Sequence, residues 1–130
     1  MEDLQPICTF SGAVIHGQGK GHTVGMPTAN LPCPPGKNHP PFGVYASLVQ
    51  VEKREYVGVT NVGSRPSVTS DPEPTVETLL LGFQGDLYGK EIAVTLYAFL
   101  RPIQKMASLE EVKSQVQKDG ERALALLGNR

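Results

Sequence analysis

Five stretches of period-two character, with a shorter sixth, are each closed off by glycine, proline or a short charged turn, and they constrain this chain more than anything else in it. The clearest covers residues 91–100, where Ile92, Val94, Leu96, Ala98 and Leu100 alternate with Ala93, Thr95, Tyr97 and Phe99. A period of two sends successive side chains to opposite faces of a strand, and a run apolar on both faces suits a central position in a closed sheet. Residues 9–15, 43–51, 56–62 and 75–83 carry the same signature, rich in Val, Tyr, Thr and Leu, and residues 28–31 form the short sixth candidate.

The connections sharpen the expectation. The charged link Glu52-Lys53-Arg54-Glu55 and the glycine-bounded segment 84–90 each join two strand patterns and read as antiparallel hairpins. Residues 32–41 hold five prolines and residues 63–74 hold three, so both read as long surface loops that cannot fill a hydrogen-bonded ladder. With 14 glycines and 11 prolines, about a fifth of the 130 residues bend or interrupt the chain.

One helix is expected, at the C-terminus. Ser108 and Glu111 have the spacing of a capping box, in which hydroxyl and carboxylate satisfy backbone donors of the first turn. Leu109, Val112, Val116, Ala123, Leu124 and Leu127 follow as an apolar stripe, and Gly128 is the expected stop. Gly120 weakens the middle by about 1 kcal/mol relative to Ala and marks a point for a kink or break. Strands followed by one helix predict a small antiparallel barrel in a single domain spanning residues 1–130, because closure removes exposed sheet edges.

Hydrophobic residues at 39%, charged residues at 19% and a net charge of -1 argue against intrinsic disorder and against a protein that wraps a polyanion. No apolar run reaches the roughly 20 residues of a membrane helix, and the first six residues lack a signal peptide's basic start, so a cytoplasmic protein without nucleic-acid or membrane partners is expected. Cys8 and Cys33 are expected to be free thiols. His16, His22, His39 and the cysteines match no compact zinc spacing.

The residues with chemical potential cluster early. His16 to Gly25 place four glycines and Lys20 directly after a strand, where backbone N–H groups can approach an anion closely. The run is neither a P-loop nor a G-x-G-x-x-G fingerprint, and by itself a flexible turn explains it equally well. In the adjoining Met26-Pro27-Thr28-Ala29-Asn30, an extended backbone projects Thr28 and Asn30 to one side, where two neutral oxygens can meet a hard cation or simply bond the loop backbone.

The chain resembles the riboflavin kinase family through Gly17-Gln18-Gly19-Lys20-Gly21, Pro27-Thr28-Ala29-Asn30, Gly43-Val44-Tyr45, Asn61-Val62-Gly63-Ser64-Arg65-Pro66, Glu77, Asp86-Leu87-Tyr88-Gly89-Lys90 and Leu100-Arg101-Pro102. The resemblance covers the chain from about Phe10 to Leu127. It is similar to the kinase module of bacterial riboflavin kinase/FAD synthetases, without the adenylyltransferase module that would precede it. The resemblance implies a six-stranded antiparallel Greek-key barrel with a C-terminal α-helix, and transfer of the ATP γ-phosphate to the ribityl 5′-hydroxyl of riboflavin, giving FMN and ADP. It assigns Glu77 as general base, Thr28 and Asn30 to Mg²⁺ and nucleotide, and Gly17, Gly19, Lys20, Gly21, His22 and Asn61 to the nucleotide. Arg101, Lys105 and Met106 fall to the flavin, although an Arg at a strand end reads equally well as a solvated charge. Leu79, two residues past the base, and Met106 depart from the family pattern, where His and an aromatic are common. ATP as co-substrate, a monomeric state and a separate FAD synthetase are further expectations. The alternative is a non-catalytic flavin- or nucleotide-binding regulatory barrel.

Overall fold

The computed structural model describes residues 5–14, 28–32, 40–65, 73–83, 87, 89–103 and 107–128. Six strands, β1 (Cys8–Ala13), β2 (Thr28–Pro32), β3 (Gly43–Val51), β4 (Arg54–Arg65), β5 (Glu73–Leu80) and β6 (Glu91–Arg101), precede one helix, α1 (Leu109–Leu127). They form a single sheet in the order β1-β6-β3-β4-β5-β2, with every pairing antiparallel. β3, β4 and β5 run as a meander and β6 returns beside β3, which is the Greek-key arrangement. The two edge strands, β1 and β2, approach each other, so the sheet curls into a nearly closed barrel.

Alternation decides what lies inside. Phe10, Ala29, Leu31, Tyr45, Val49, Val62, Val76, Leu80, Ile92, Val94 and Leu96 fill the barrel interior. The opposite parity of β3, β4 and β5 supplies Val44, Ala46, Leu48, Val59 and Leu79, which meet Ala123 and Leu127 of α1 in a second cluster on the outer face. Leu79 is therefore an apolar contact under the helix side of the sheet, which accounts for an aliphatic residue at that departure from the family pattern.

A few polar residues are buried inside. Ser47, Thr60 and Thr78 are sealed from solvent and linked side by side, with Thr60 Oγ1 donating to Ser47 Oγ at 2.8 Å and lying 2.9 Å from Thr78 Oγ1. Since Thr60 has a single hydroxyl proton, Thr78 donates to it. Gly58 makes room for this row: a Cβ there would meet Ser47 Oγ and Val49 Cγ2 at 2.9 Å and Thr78 Cγ2 at 3.0 Å.

Several expectations change. Segment 84–90 does not close a hairpin, because β5 pairs with β4 and β2 while β6 pairs with β3 and β1. The loop expected over residues 63–74 is shorter, because Gly63, Ser64 and Arg65 pair with Thr75, Pro74 and Glu73 and extend both strands. Gly120 does not break α1, which runs unbroken through it; it is buried, and a Cβ there would make ordinary van der Waals contact with Leu81 Cδ2 at 3.4 Å. The cap is as expected at Ser108, whose Oγ accepts from Glu111 N–H at 3.2 Å, while Glu111 Oε2 accepts from the Ala107 N–H at 3.0 Å. Gly128 ends the helix as expected, with right-handed backbone at φ -71° and its N–H donating to the Leu124 carbonyl at 2.7 Å. Leu124 lies off the buried stripe at 48% exposure. Cys8 is a free thiol, and Cys33 lies outside the described residues.

Candidate functional site

β2 and β5 bring two distant parts of the sequence together. Their antiparallel register sets Thr28 opposite Leu79 and Asn30 opposite Glu77. β5 also pairs with β4, where Asn61 stands opposite the same Glu77. Residues directly opposite in an antiparallel pair share a face, with Cβ atoms about 5 Å apart. The inward positions of these strands are taken by Ala29, Leu31, Thr60, Val62, Val76 and Thr78, so Asn30, Glu77 and Asn61 form one row on the outer face. Asn30 and Glu77 are half-buried and Asn61 is exposed.

The row continues across the sheet. Asn61 pairs with Val44 on β3, and Val44 pairs with Arg101 on β6. Arg101 thus stands three strand spacings from Glu77, about 14 Å along the row. Its guanidinium has an internal partner that the sequence reading missed. Nε donates to both oxygens of Asp119 at 3.0 and 3.1 Å, and Nη2 donates to Oδ2 at 2.8 Å. Gln115 Nε2 adds a further bond to Asp119 Oδ1 at 3.0 Å. Asp119 is 1% exposed and Arg101 is mostly covered, so the pair clamps α1 to the end of β6 instead of leaving a solvated charge. A signal for it exists in the sequence: Asp119 falls between Val116 and Ala123 on the buried stripe, where a carboxylate requires a cationic partner.

β6 reaches this position through two register shifts, which leave Tyr97 and Leu100 as extra residues against β3. An extra residue leaves backbone groups outside the ladder. The Leu100 carbonyl is satisfied by Arg122 Nη1 of the helix at 2.9 Å. Beyond Arg101, Ile103 crosses toward β4, where its Cδ1 lies 3.0 Å from the place a Gly63 Cβ would occupy.

Gly17, Gly19, Lys20, Gly21, His22, Lys105 and Met106 lie outside the described residues, as does the side chain of Thr28. The chemistry within the described row is simple. A carboxylate that can accept a proton stands beside a carboxamide oxygen of the hard type that divalent cations prefer. Both are mounted on paired strands, which fix their directions.

The family profile described as Flavokinase: Riboflavin kinase matches residues 4–127. A bifunctional riboflavin kinase/FMN adenylyltransferase of Pseudomonas fluorescens is 38% identical over 117 residues, covering 90% of this chain and 37% of its own length. An RNA-binding riboflavin kinase of Bacillus subtilis is 36% identical over 111 residues, covering 85% of this chain and 47% of its own length. The crystal structure of riboflavin kinase from Trypanosoma brucei superposes with a TM-score of 0.62 at 23% identity, covering 92% of this chain and 79% of that one, and so shares the fold. The chain spans less than half the length of either bacterial relative.

Proposed function

Because the chain belongs to the flavokinase family, we propose that it transfers the γ-phosphate of ATP to the ribityl 5′-hydroxyl of riboflavin, producing FMN and ADP. The observation that carries this reading is the register of Asn30 against Glu77. Phosphoryl transfer needs in-line positioning and neutralisation of phosphate charge, with a group to receive the hydroxyl proton. In the proposed step the 5′-oxygen bonds to the γ-phosphorus as the bond to the β–γ bridging oxygen breaks. ADP leaves with the bond electrons, and the hydroxyl proton passes to the Glu77 carboxylate.

The donor set fits Mg²⁺, since Asn30 offers a neutral carboxamide oxygen and Thr28 is a hydroxyl-bearing residue two positions away on the same strand. Asn30 and Thr28 would hold such an ion, which when bound would supply neutralisation of phosphate charge. Gly17, Gly19, Lys20, Gly21 and His22 are assigned to the phosphates, and Lys105 and Met106 to the flavin. Arg101 joins the flavin side as a group held in place by Asp119. FMN made here is a substrate for an adenylyltransferase. The protein acts as a cytoplasmic monomer in this reading. RNA is left out of it because a net charge of -1 offers little electrostatic attraction for a polyanion.

Incubating the purified protein with riboflavin and Mg-ATP tests the proposal. FMN and ADP accumulating one to one is the expected result. Binding of either compound without turnover would instead support the non-catalytic barrel.

A further inference from the structure

Family resemblance puts Asn61 with the nucleotide, but its place in the row points elsewhere. Glu77 lies between two asparagines, Asn30 on β2 and Asn61 on β4. If Asn30 marks the donor side, as in the reading above on which this inference rests, the hydroxyl must reach Glu77 along a path in line with the departing ADP. The acceptor therefore extends from Glu77 away from Asn30. One strand spacing of about 4.8 Å in that direction, the row holds Asn61.

Three features of Asn61 suit an uncharged polyol. It is exposed, and its backbone is fixed in the ladder between Val44 and Glu77. Its neighbour on the same face is the buried Gly63, beside which Ile103 packs: a Cβ at Gly63 would stand 3.4 Å from Asn61 Oδ1 and 3.0 Å from Ile103 Cδ1. A carboxamide both donates and accepts, matching a hydroxyl that does the same, and brings no positive charge to attract a phosphate. We infer that Asn61 is a specificity-determining residue for the acceptor, binding a ribityl hydroxyl next to the reacting one and selecting polyhydroxylated alcohols.

Steady-state kinetics of Asn61→Ala in the whole chain, with riboflavin and ATP varied separately, tests this. The expected result is a KM for riboflavin raised about five- to tenfold, the loss of one neutral hydrogen bond, with the KM for ATP within about twofold. With an acceptor lacking the neighbouring ribityl hydroxyl, wild type and variant converge, which a merely structural role would not produce. A raised KM for ATP with that for riboflavin unchanged, or no change in either, overturns the assignment while leaving the kinase reading intact. A wild-type chain that makes no FMN overturns the kinase reading and this assignment with it.

Discussion

At the scale of single residues, the proposed chemistry and part of the stability fall to individual polar groups. Asn30 is the sharpest case. β2–β5 pairing sets its backbone opposite Glu77, and under the proposed reaction its carboxamide would hold Mg²⁺, so removing it should act on the metal requirement and not on the fold. Asn30→Ala is expected to raise the Mg²⁺ concentration for half-maximal activity severalfold with little change in melting temperature, read from a metal titration of turnover. A titration curve identical to wild type would remove Asn30 from the metal. Tyr45 should contribute an alkaline pH dependence. Its hydroxyl donates to the Pro41 carbonyl at 2.6 Å, and burial, with a smaller contribution from the Cys8 thiol, raises its pKa above the ordinary tyrosine value. The folded state thus keeps a proton that the unfolded chain releases near pH 10, so the contribution is complete below that pH and is lost as pH rises through the raised folded value. Tyr45→Phe should flatten the fall in denaturant midpoint above pH 10; an unchanged alkaline slope would show that another group carries it.

At the scale of elements, helix and sheet are joined by a buried ion pair and an apolar cluster. Truncating Asp119 leaves Arg101 without its carboxylate partner in a mostly covered site. Asp119→Ala should cost about 3–5 kcal/mol, measured by urea unfolding, because a covered charge left alone is poorly compensated. A loss below about 1 kcal/mol would show that water or another side chain takes over. Gly58→Ala presses a methyl against Ser47, Val49 and Thr78 in the barrel interior, and about 1–3 kcal/mol of destabilisation is expected from overpacking. Much of the element level was legible in the sequence. The strand pattern over residues 43–51 matches β3 end to end, and Ser108 caps α1 as its spacing with Glu111 implied. The paired ends of β4 and β5 were not legible, since Gly63, Ser64, Glu73 and Pro74 show no apolar alternation and are strand only because each pairs with the other. The register shifts at Tyr97 and Leu100 were hidden for the same reason: they belong to the fit between β6 and β3, which no single strand encodes.

At the scale of the whole molecule, the barrel separates two tasks by parity. Inward residues make the core, and outward residues of the same strands carry either the helix contact or the proposed chemistry. Leu79 and Glu77 are two residues apart on β5, one under the helix side and the other beside Asn30. Sequence motifs named the residues of this row, and only the pairing of β2, β5 and β4 shows that three of them are neighbours. In the proposed reaction Glu77 receives the hydroxyl proton at this place. The most direct measurement is the turnover of Glu77→Gln at saturating riboflavin and Mg-ATP, with Mg-ADP binding measured on the same sample. Nucleotide affinity within a few-fold of wild type and a kcat lower by about 10² to 10⁴ are expected. A kcat near that of wild type would contradict that role for Glu77.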